Sequence, residues 1–186
     1  GTFKGLYVQG EDIAQSDPNT NHVTHALEAL ECVVVQDLFL NETAAFAHVF
    51  FPGTSFLEKD GTFTNAERRI NRVRPVMPSR VGKDEWQTVC EIATAMGYPM
   101  SYAAPSQIMD EIAATTPTFA GVSFARLDAE GSMQWPVTEA APHGTPTMHV
   151  GSFVRGLGQL TATVYVPPTG RANPRDARGR TSGRIL

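Results

Sequence analysis

The sequence predicts a three-layer α/β fold, in which a parallel sheet carries helices on its faces. Three short apolar runs, at 6–8, 32–35 and 49–51, are candidates for buried strands. Helical patterns separate these runs at 21–30 and 41–47, and the connections are short. This alternation of strand and helix is typical of right-handed crossovers between parallel strands.

The first strand candidate is Leu6-Tyr7-Val8, and the run ends at Gly10. Residues 11–20 are rich in Asp, Ser, Pro and Asn and therefore predict a loop. A helix is expected next over 21–30, because its apolar residues recur at helical spacing. These residues are Val23, Ala26, Leu27 and Leu30.

The second strand candidate, Cys32-Val33-Val34-Val35, is continuous and β-branched. Runs of this kind suit strands that are buried on both faces of a parallel sheet. A short helix over 41–47 and a third strand over 49–51 complete the pattern.

The second half of the chain predicts helices added to this sheet. Residues 61–73 alternate between apolar and polar and are expected to be extended, crossing the sheet edge. The clearest helix runs over 84–96 and stops at Gly97, and further helices are expected at 106–114 and 124–128. The expected apolar stripe of the first of these helices consists of Trp86, Val89, Cys90, Ala93 and Met96.

An isolated strand is expected over 160–166, followed by an arginine-rich tail over 167–186 that is expected to be mobile. We therefore expect three parts: a parallel α/β portion over 1–80, a helical and extended segment over 81–166 packed on it, and the tail.

Composition narrows the class of protein. The chain has 186 residues, of which 41% are hydrophobic and 18% charged, so it can build a core. The net charge of −4 gives no reason to expect nucleic-acid binding. No apolar run reaches membrane-helix length and no secretory signal is visible, and the two cysteines, Cys32 and Cys90, form no Cys-x-x-Cys motif. A cytoplasmic setting is the expectation.

The sequence contains few groups that could perform chemistry. It lacks the nucleophile elbow, the His-Glu-x-x-His motif, the Walker loop and the Gly-x-Gly-x-x-Gly motif. His22 and His25 lie three residues apart in a predicted helix, but no carboxylate or cysteine stands at ligand spacing beside them. We therefore expect no catalytic residue and no metal ligand, and a structural role for the histidines.

Polar and glycine residues follow each predicted strand, where an open parallel sheet binds its ligands. Gly10 and Gly53 would let the backbone approach a ligand, and Asp12 could accept two N–H bonds from a guanine-like edge. Ser16 offers a hydroxyl, and Gln36 offers an amide that both donates and accepts. The alternative is that these residues are turn formers, since Asp, Gly and Ser are common in turns.

A charged cluster over 58–74 also has two interpretations. Its arginines Arg68, Arg69, Arg72 and Arg74 could recognise phosphate, or the cluster could be a solvated surface of mixed charge. Composition does not decide between them.

The order of several short motifs resembles the molybdopterin oxidoreductase family. The matching stretches are Gly10-Glu11-Asp12, Gln15-Ser16-Asp17, Val33-Val34-Val35-Gln36-Asp37, Phe51-Pro52-Gly53-Thr54-Ser55, Glu58 to Asn65, and Ile92 to Pro99. Within that family the chain is most similar to the alpha subunits of NAD-dependent, molybdenum-containing formate dehydrogenases.

This resemblance implies a fold and a cofactor. The chain would be the Rossmann-like portion of a formate dehydrogenase/DMSO reductase-type fold, with extra helices. The family's cofactor is bis-molybdopterin guanine dinucleotide carrying molybdenum or tungsten. By resemblance Asp12 would hold the guanine, Gly10 would let the backbone approach, and Ser16 would replace a family hydroxyl. Gln36 and Gly53 fall at further family cofactor contacts, and this stretch alone could bind the cofactor or bind none.

The resemblance also implies an activity for the full enzyme, which would oxidise formate to carbon dioxide and pass electrons to NAD. The partners would be the remaining domains of the alpha subunit and iron–sulfur and flavin subunits. The chain itself is expected to be inactive, and uncovered apolar surface could drive self-association. Two alternatives stay open: a non-catalytic scaffold like the large iron–sulfur subunit of respiratory complex I, and a fragment of a molybdenum nitrate reductase.

Overall fold

The fold is mixed α/β and contains two three-stranded sheets. We describe it from a computed structural model, in which residues 2–153, 156–158, 160 and 162 are described. The expected strand over 160–166 and the tail over 167–186 therefore lie outside the described residues, apart from 160 and 162. The chain divides into two compact units, Gly1–Pro146 and Thr147–Leu186, and all helices and strands below belong to the first.

The first sheet is parallel, as predicted, with strand order β1-β2-β3. Its elements run in the order β1 (Gly5–Gln9), α1 (Ile13–Ser16), α2 (Thr20–Glu28), β2 (Cys32–Asp37), a 3₁₀ turn (Thr43–Phe46) and β3 (Val49–Pro52). Two details differ from the sequence prediction: α1 lies within the expected loop, and the expected helix over 41–47 is a 3₁₀ turn. The α1 residue Ala14 is buried, and its N–H donates to the Thr43 hydroxyl at 3.0 Å, which joins the two short turns.

The core of the parallel sheet lies on one of its faces. Val8, Val33 and Val35 are buried there, and Val33 and Val35 are fully enclosed. Full burial of each valine contributes about 1.5–3 kcal/mol. His48 has a structural role at the start of β2, because its Nδ1 accepts from the Val33 N–H at 3.0 Å.

The opposite face of this sheet carries alternate residues. Gln9 pairs with Gln36, and Gln36 pairs with Phe51. Tyr7 lies two residues before Gln9 and therefore points to the same side. This second face leads to the polar residues described below.

The remaining elements form a second, antiparallel sheet and three helices. They are β4 (Gly61–Thr64), β5 (Arg69–Val73), α3 (Glu85–Ala95), α4 (Pro105–Thr115), α5 (Phe124–Glu130) and β6 (Met133–Gln134), with a 3₁₀ turn at Pro117–Phe119. The extended segments predicted over 61–73 thus pair with each other and not with the parallel sheet, and β6 pairs with β5. Their core consists of Ile70, Met109, Val122, Leu127, Met133 and Val137.

The local sequence accounts for the helix ends. The Asn19 side chain accepts from the His22 N–H at the start of α2, and Ser123 accepts from Arg126 at the start of α5. Gly97, with φ of +91°, follows α3 as predicted. None of the helices in the described part of the chain has the length and apolarity to cross a membrane.

The predicted apolar stripe of α3 is only partly correct: Cys90 is buried and Trp86 and Ala93 are half-buried, but the other two members are exposed. Met96 is 82% exposed and Val89 is 37% exposed, whereas Glu85 and Thr88 are buried beside Cys90. The helix turns its first residue, a carboxylate, toward the end of the parallel sheet because that carboxylate has hydrogen-bond donors there. The hydrogen bonds of the buried Glu85 carboxylate, and not the spacing of the apolar residues, therefore determine which side of this helix is buried.

Candidate functional site: a polar cleft at the ends of the parallel strands

A cleft of about 460 Å³ lies beyond the carboxyl ends of the parallel strands. Parallel strands end at the same edge of the sheet, so residues from distant parts of the sequence meet there. The lining residues are Gln9, Gly10, Gln36, Asp37, Leu38, Thr54, Ser55, Phe56, Lys59, Phe63 and Glu85. We refer to this site as the polar cleft.

Gly10 forms the turn at the end of β1. Its φ is +62°, a conformation that favours glycine, and its N–H donates to the Gln36 carbonyl at 2.9 Å. An added Cβ would meet no atom within 4 Å, so there is open space beside Gly10, which lines the cleft. Close approach of a ligand to the backbone at Gly10 stays a prediction.

Gln36 presents its amide at the end of β2. The residue is only 2% exposed, and its Oε1 accepts a hydrogen bond from the Tyr7 hydroxyl. Its amide nitrogen donates no hydrogen bond within the described part of the chain. A buried amide with spare donor capacity is a group that a ligand can satisfy.

Glu85 brings a buried carboxylate from α3 to the cleft. Its Oε1 accepts from the Thr54 N–H at 3.0 Å and from Lys59 Nζ at 2.9 Å, and its Oε2 accepts from the Thr54 hydroxyl at 2.8 Å. Burial disfavours the charged form, but the hydrogen bonds from Lys59 and Thr54 outweigh it and lower the pKa of Glu85. The carboxylate is therefore ionised at neutral pH.

Asp37 supplies another carboxylate to the cleft at the end of β2. Its Oδ1 accepts from the Leu38 N–H at 2.6 Å, and its Oδ2 accepts from Asn41 Nδ2 at 2.9 Å. With Lys59, the formal charge of the lining is two negative and one positive, a net of −1. The polar cleft is thus rich in hydrogen-bond acceptors.

Asp12 does not line the polar cleft. Its Oδ1 accepts from the Thr43 N–H at 2.9 Å and from the Thr43 hydroxyl at 2.7 Å, while its Oδ2 lies 3.4 Å from the Glu42 N–H. The Thr43 hydroxyl contributes most to lowering the pKa of Asp12. The carboxylate joins β1 to the 3₁₀ turn, as the turn-former alternative expects, and its contact with guanine stays a prediction.

Ser16 and Gly53 also lie outside the lining of the cleft. The Ser16 hydroxyl donates to Glu11 Oε1 at 2.6 Å. A Cβ on Gly53 would lie 3.2 Å from the Asp37 carbonyl carbon and 3.2 Å from Glu85 Oε1. The glycine thus allows close approach of two parts of the chain, in addition to any role toward a ligand.

Each of the four arginines of the charged cluster has a partner within the chain. Arg68 donates hydrogen bonds to backbone carbonyls, including that of Thr145, which lies 3.1 Å from its guanidinium nitrogen. The Arg72 side chain is 9% exposed, pairs with Asp60 and Asp128, and lies 3.7 Å from the centre of the Phe124 ring. Arg74 pairs with Asp128, while Arg69 lies 3.3 Å from the Glu67 carboxylate. The phosphate interpretation therefore finds no group of free arginines among the described residues.

Sequence reasoning missed Tyr7, Lys59 and Glu85 as members of the site. Glu85 stands in the first turn of a helix, where acidic residues are common for electrostatic reasons alone, so its position carries no distinct signal. The described residues also hold no cluster of three or more His, Cys, Asp and Glu side chains that could bind a metal ion.

Comparison with known proteins matches the first half of the chain to a family. The sequence model described as molybdopterin oxidoreductase matches residues 1–95. A Staphylococcus haemolyticus protein with a provisional formate dehydrogenase name is 46% identical over 156 residues, which cover 82% of this chain and 16% of that protein. The alpha subunit of the F420-dependent formate dehydrogenase 1 of Methanococcus maripaludis is 38% identical over 98% of this chain and 28% of its own length.

A solved structure supports the fold. Acetylene hydratase from Pelobacter acetylenicus superposes with a TM-score of 0.54 at 20% identity, over 71% of this chain and 18% of that protein. In all three comparisons the chain spans well under a third of the known protein.

Proposed function

The chain belongs to the molybdopterin oxidoreductase family, and on that premise we propose that it holds one nucleotide end of a molybdopterin guanine dinucleotide in a formate dehydrogenase. The relatives that carry formate dehydrogenase names support the enzyme class. The single observation that carries the binding role is the convergence of Gly10, Gln36 and Glu85 on the polar cleft.

The residues of the cleft fit a guanine base. The base offers N–H donors on its ring edge and amino group, and an acceptor at O6. The cleft offers an amide at Gln36 and carboxylates at Asp37 and Glu85. The oxygens of both carboxylates already accept hydrogen bonds within the chain, so a base would use their remaining lone pairs. Gly10 leaves open space beside them. Donors and acceptors of the two partners are complementary.

The charge of the cleft favours the base over the phosphates. Asp37 and Glu85 outnumber Lys59, so an entering diphosphate would meet a net negative lining. A neutral base meets no such repulsion. In this proposal the base enters the cleft and the phosphates stay toward its opening.

The cofactor, carrying molybdenum or tungsten, would supply the redox chemistry, and this chain would supply binding and orientation. The full enzyme would oxidise formate to carbon dioxide in the cytoplasm and pass electrons through iron–sulfur and flavin subunits to NAD. We expect the 186-residue chain to be inactive toward formate, since it spans 16% and 28% of the two relatives. The remaining domains of the alpha subunit would cover its apolar surface, and without them it would self-associate.

Calorimetric titration of the 186-residue chain with GDP tests the binding role. We expect saturable binding that Gln36→Leu weakens by about tenfold, because a buried amide partner is lost. Asp12→Ala in the same titration tests the predicted guanine contact of Asp12: a similar loss supports it, and unchanged affinity assigns Asp12 to the 3₁₀ turn alone. Absence of GDP binding to the unsubstituted chain contradicts the proposal.

A non-catalytic scaffold is the second candidate. It is favoured by the engagement of Asp12 with Thr43 and by the tight packing of Gly53 against Asp37. These two predicted cofactor contacts already have partners within the chain. The same GDP titration separates the candidates, since a scaffold needs no nucleotide affinity.

A further inference from the structure

Tyr7 lies behind the polar cleft and touches one of its lining residues. It shares a face of the parallel sheet with Gln36, and its hydroxyl donates to Gln36 Oε1. Tyr7 itself does not line the cleft. The hydrogen bond therefore supports a lining residue from outside the lining.

In the structure this contact occupies the oxygen of the Gln36 amide and leaves its other end for a ligand. A carboxamide can rotate to present either its oxygen or its NH₂ group. The oxygen of Gln36 accepts from Tyr7, and the residue is only 2% exposed. The NH₂ group is the polar group left free, because it donates no hydrogen bond within the described residues.

Tyr7 keeps its proton under all ordinary conditions. Burial and, next, the negative charge of Glu85 raise the pKa of Tyr7 above its ordinary value. The hydroxyl thus keeps the proton that it donates to Gln36 Oε1 in the structure.

We propose that Tyr7 is a positioning residue that locks the Gln36 amide as a donor and so makes the polar cleft select guanine over adenine. Guanine presents an acceptor at O6, which an NH₂ group can satisfy, whereas adenine presents an amino donor at the equivalent position. Two donors facing each other leave both unsatisfied, which is costly in a buried site. This inference rests on the proposed function, in which the cleft receives a purine base.

The test compares the affinities of GDP and ADP by calorimetry for the unsubstituted 186-residue chain and for Tyr7→Phe. Tyr7→Phe keeps the ring and removes only the hydroxyl, so the amide becomes free to rotate. We expect the unsubstituted chain to prefer GDP, and the preference to fall by about threefold to tenfold in Tyr7→Phe. Tyr98→Phe is the matched control, because Tyr98 is 65% exposed, and it should leave the ratio unchanged.

The outcomes separate this inference from the proposed function. An unchanged ratio in a Tyr7→Phe variant that still binds GDP overturns the positioning role and leaves the binding role standing. Failure of the unsubstituted chain to bind GDP overturns both.

A second experiment uses another ligand and only the unsubstituted chain, so its result does not depend on the folding of Tyr7→Phe. The diphosphate of 2-aminopurine riboside keeps the amino group of guanine and lacks both O6 and the N1–H. We expect the unsubstituted chain to bind it about threefold to tenfold more weakly than GDP. Equal affinity would show that no donor of the cleft recognises O6, and would overturn the inference.

Discussion

Lys59 and Glu85 form an ion pair, 2.9 Å between Nζ and Oε1, in the wall of the polar cleft. Their side chains are 24% and 11% exposed. The lysine comes from the loop after β3 and the glutamate from the first turn of α3, so the pair joins the parallel sheet to the helical half of the chain.

Lys59→Met should destabilise the protein by about 2 kcal/mol, because Glu85 would remain buried without its cation. Urea unfolding measures the change. Lys83→Met is the matched control: Lys83 pairs with Glu91 at 2.6 Å, but the side chains are 40% and 63% exposed, so its loss should cost less than about 1 kcal/mol. Equal effects of the two substitutions would contradict the structural role of Lys59.

Glu58 makes the stability of the folded chain depend on pH in the acid range. Its carboxylate accepts from the N–H groups of Arg80 and Ser55 and from the Ser55 hydroxyl, and these contacts lower its pKa from 4.5 to about 2. Because the folded-state pKa is depressed, the stabilisation is complete above pH 4.5 and is lost as the pH falls toward 2.

Glu58→Gln should therefore lower the melting temperature at pH 6, and the difference from the unsubstituted chain should shrink as the pH falls from 4.5 to 2. Thermal melts followed by circular dichroism at pH 6, 4 and 3 measure this difference. Glu139→Gln, at an exposed position, is the control. A difference that stays constant across this range would rule out the titration of Glu58 as its source.

Gly53→Ala should destabilise the chain by about 1 kcal/mol, because the new methyl group would press on the Asp37 carbonyl and on Glu85. Gly61→Ala is a suitable comparison, since an added Cβ there meets nothing within 4 Å and the φ of Gly61 is not positive. Chemical denaturation should show a loss for the first variant and none for the second. If Gly53→Ala is as stable as the parent, the close packing at Gly53 does not matter for stability.

Arg72→Met should cost about 3 kcal/mol, because Asp60 and Asp128 would lose a nearly buried cation and Phe124 would lose the guanidinium above its ring. Arg69→Met is the exposed counterpart, with 42% of its side chain accessible, and should cost less than about 1 kcal/mol. Unfolding in urea distinguishes them. Near-equal stability of the two variants would restore the solvated-surface interpretation of the whole cluster.

The parallel sheet could be predicted from the sequence because its strands are short, apolar and β-branched. Their burial on at least one face leaves a local signal, as in Val33 and Val35. The second sheet gave no comparable signal: β6 has two residues, and only its pairing with β5 makes it a strand. The stripe of α3 was partly mispredicted because periodicity does not register a buried carboxylate with three donors.

The sequence predicts those site residues whose position follows from the backbone of the parallel strands alone. Gly10 and Gln36 follow directly from the ends of β1 and β2. Asp12 lies two residues after Gly10 in the sequence, yet its carboxylate contacts Thr43, 31 residues away. No local sequence pattern predicts that partner. Lys59 and Glu85 meet in the cleft although 26 residues separate them in the sequence. No periodic pattern of residues predicts a contact over that separation.

Strand β6 pairs with β5, and Met133 lies beside Ile70. The segment between these two strands, which contains the three helices α3 to α5, therefore begins and ends at the same place in the sheet. Met133 and Ile70 belong to the same buried cluster as Met109, Val122 and Leu127, which come from within that segment. A single proteolytic cut in the mostly exposed stretch 97–103 would leave two polypeptides still joined by this pairing and this core. The protein is therefore suited to fragment complementation, in which two separately made pieces reassemble into one folded unit.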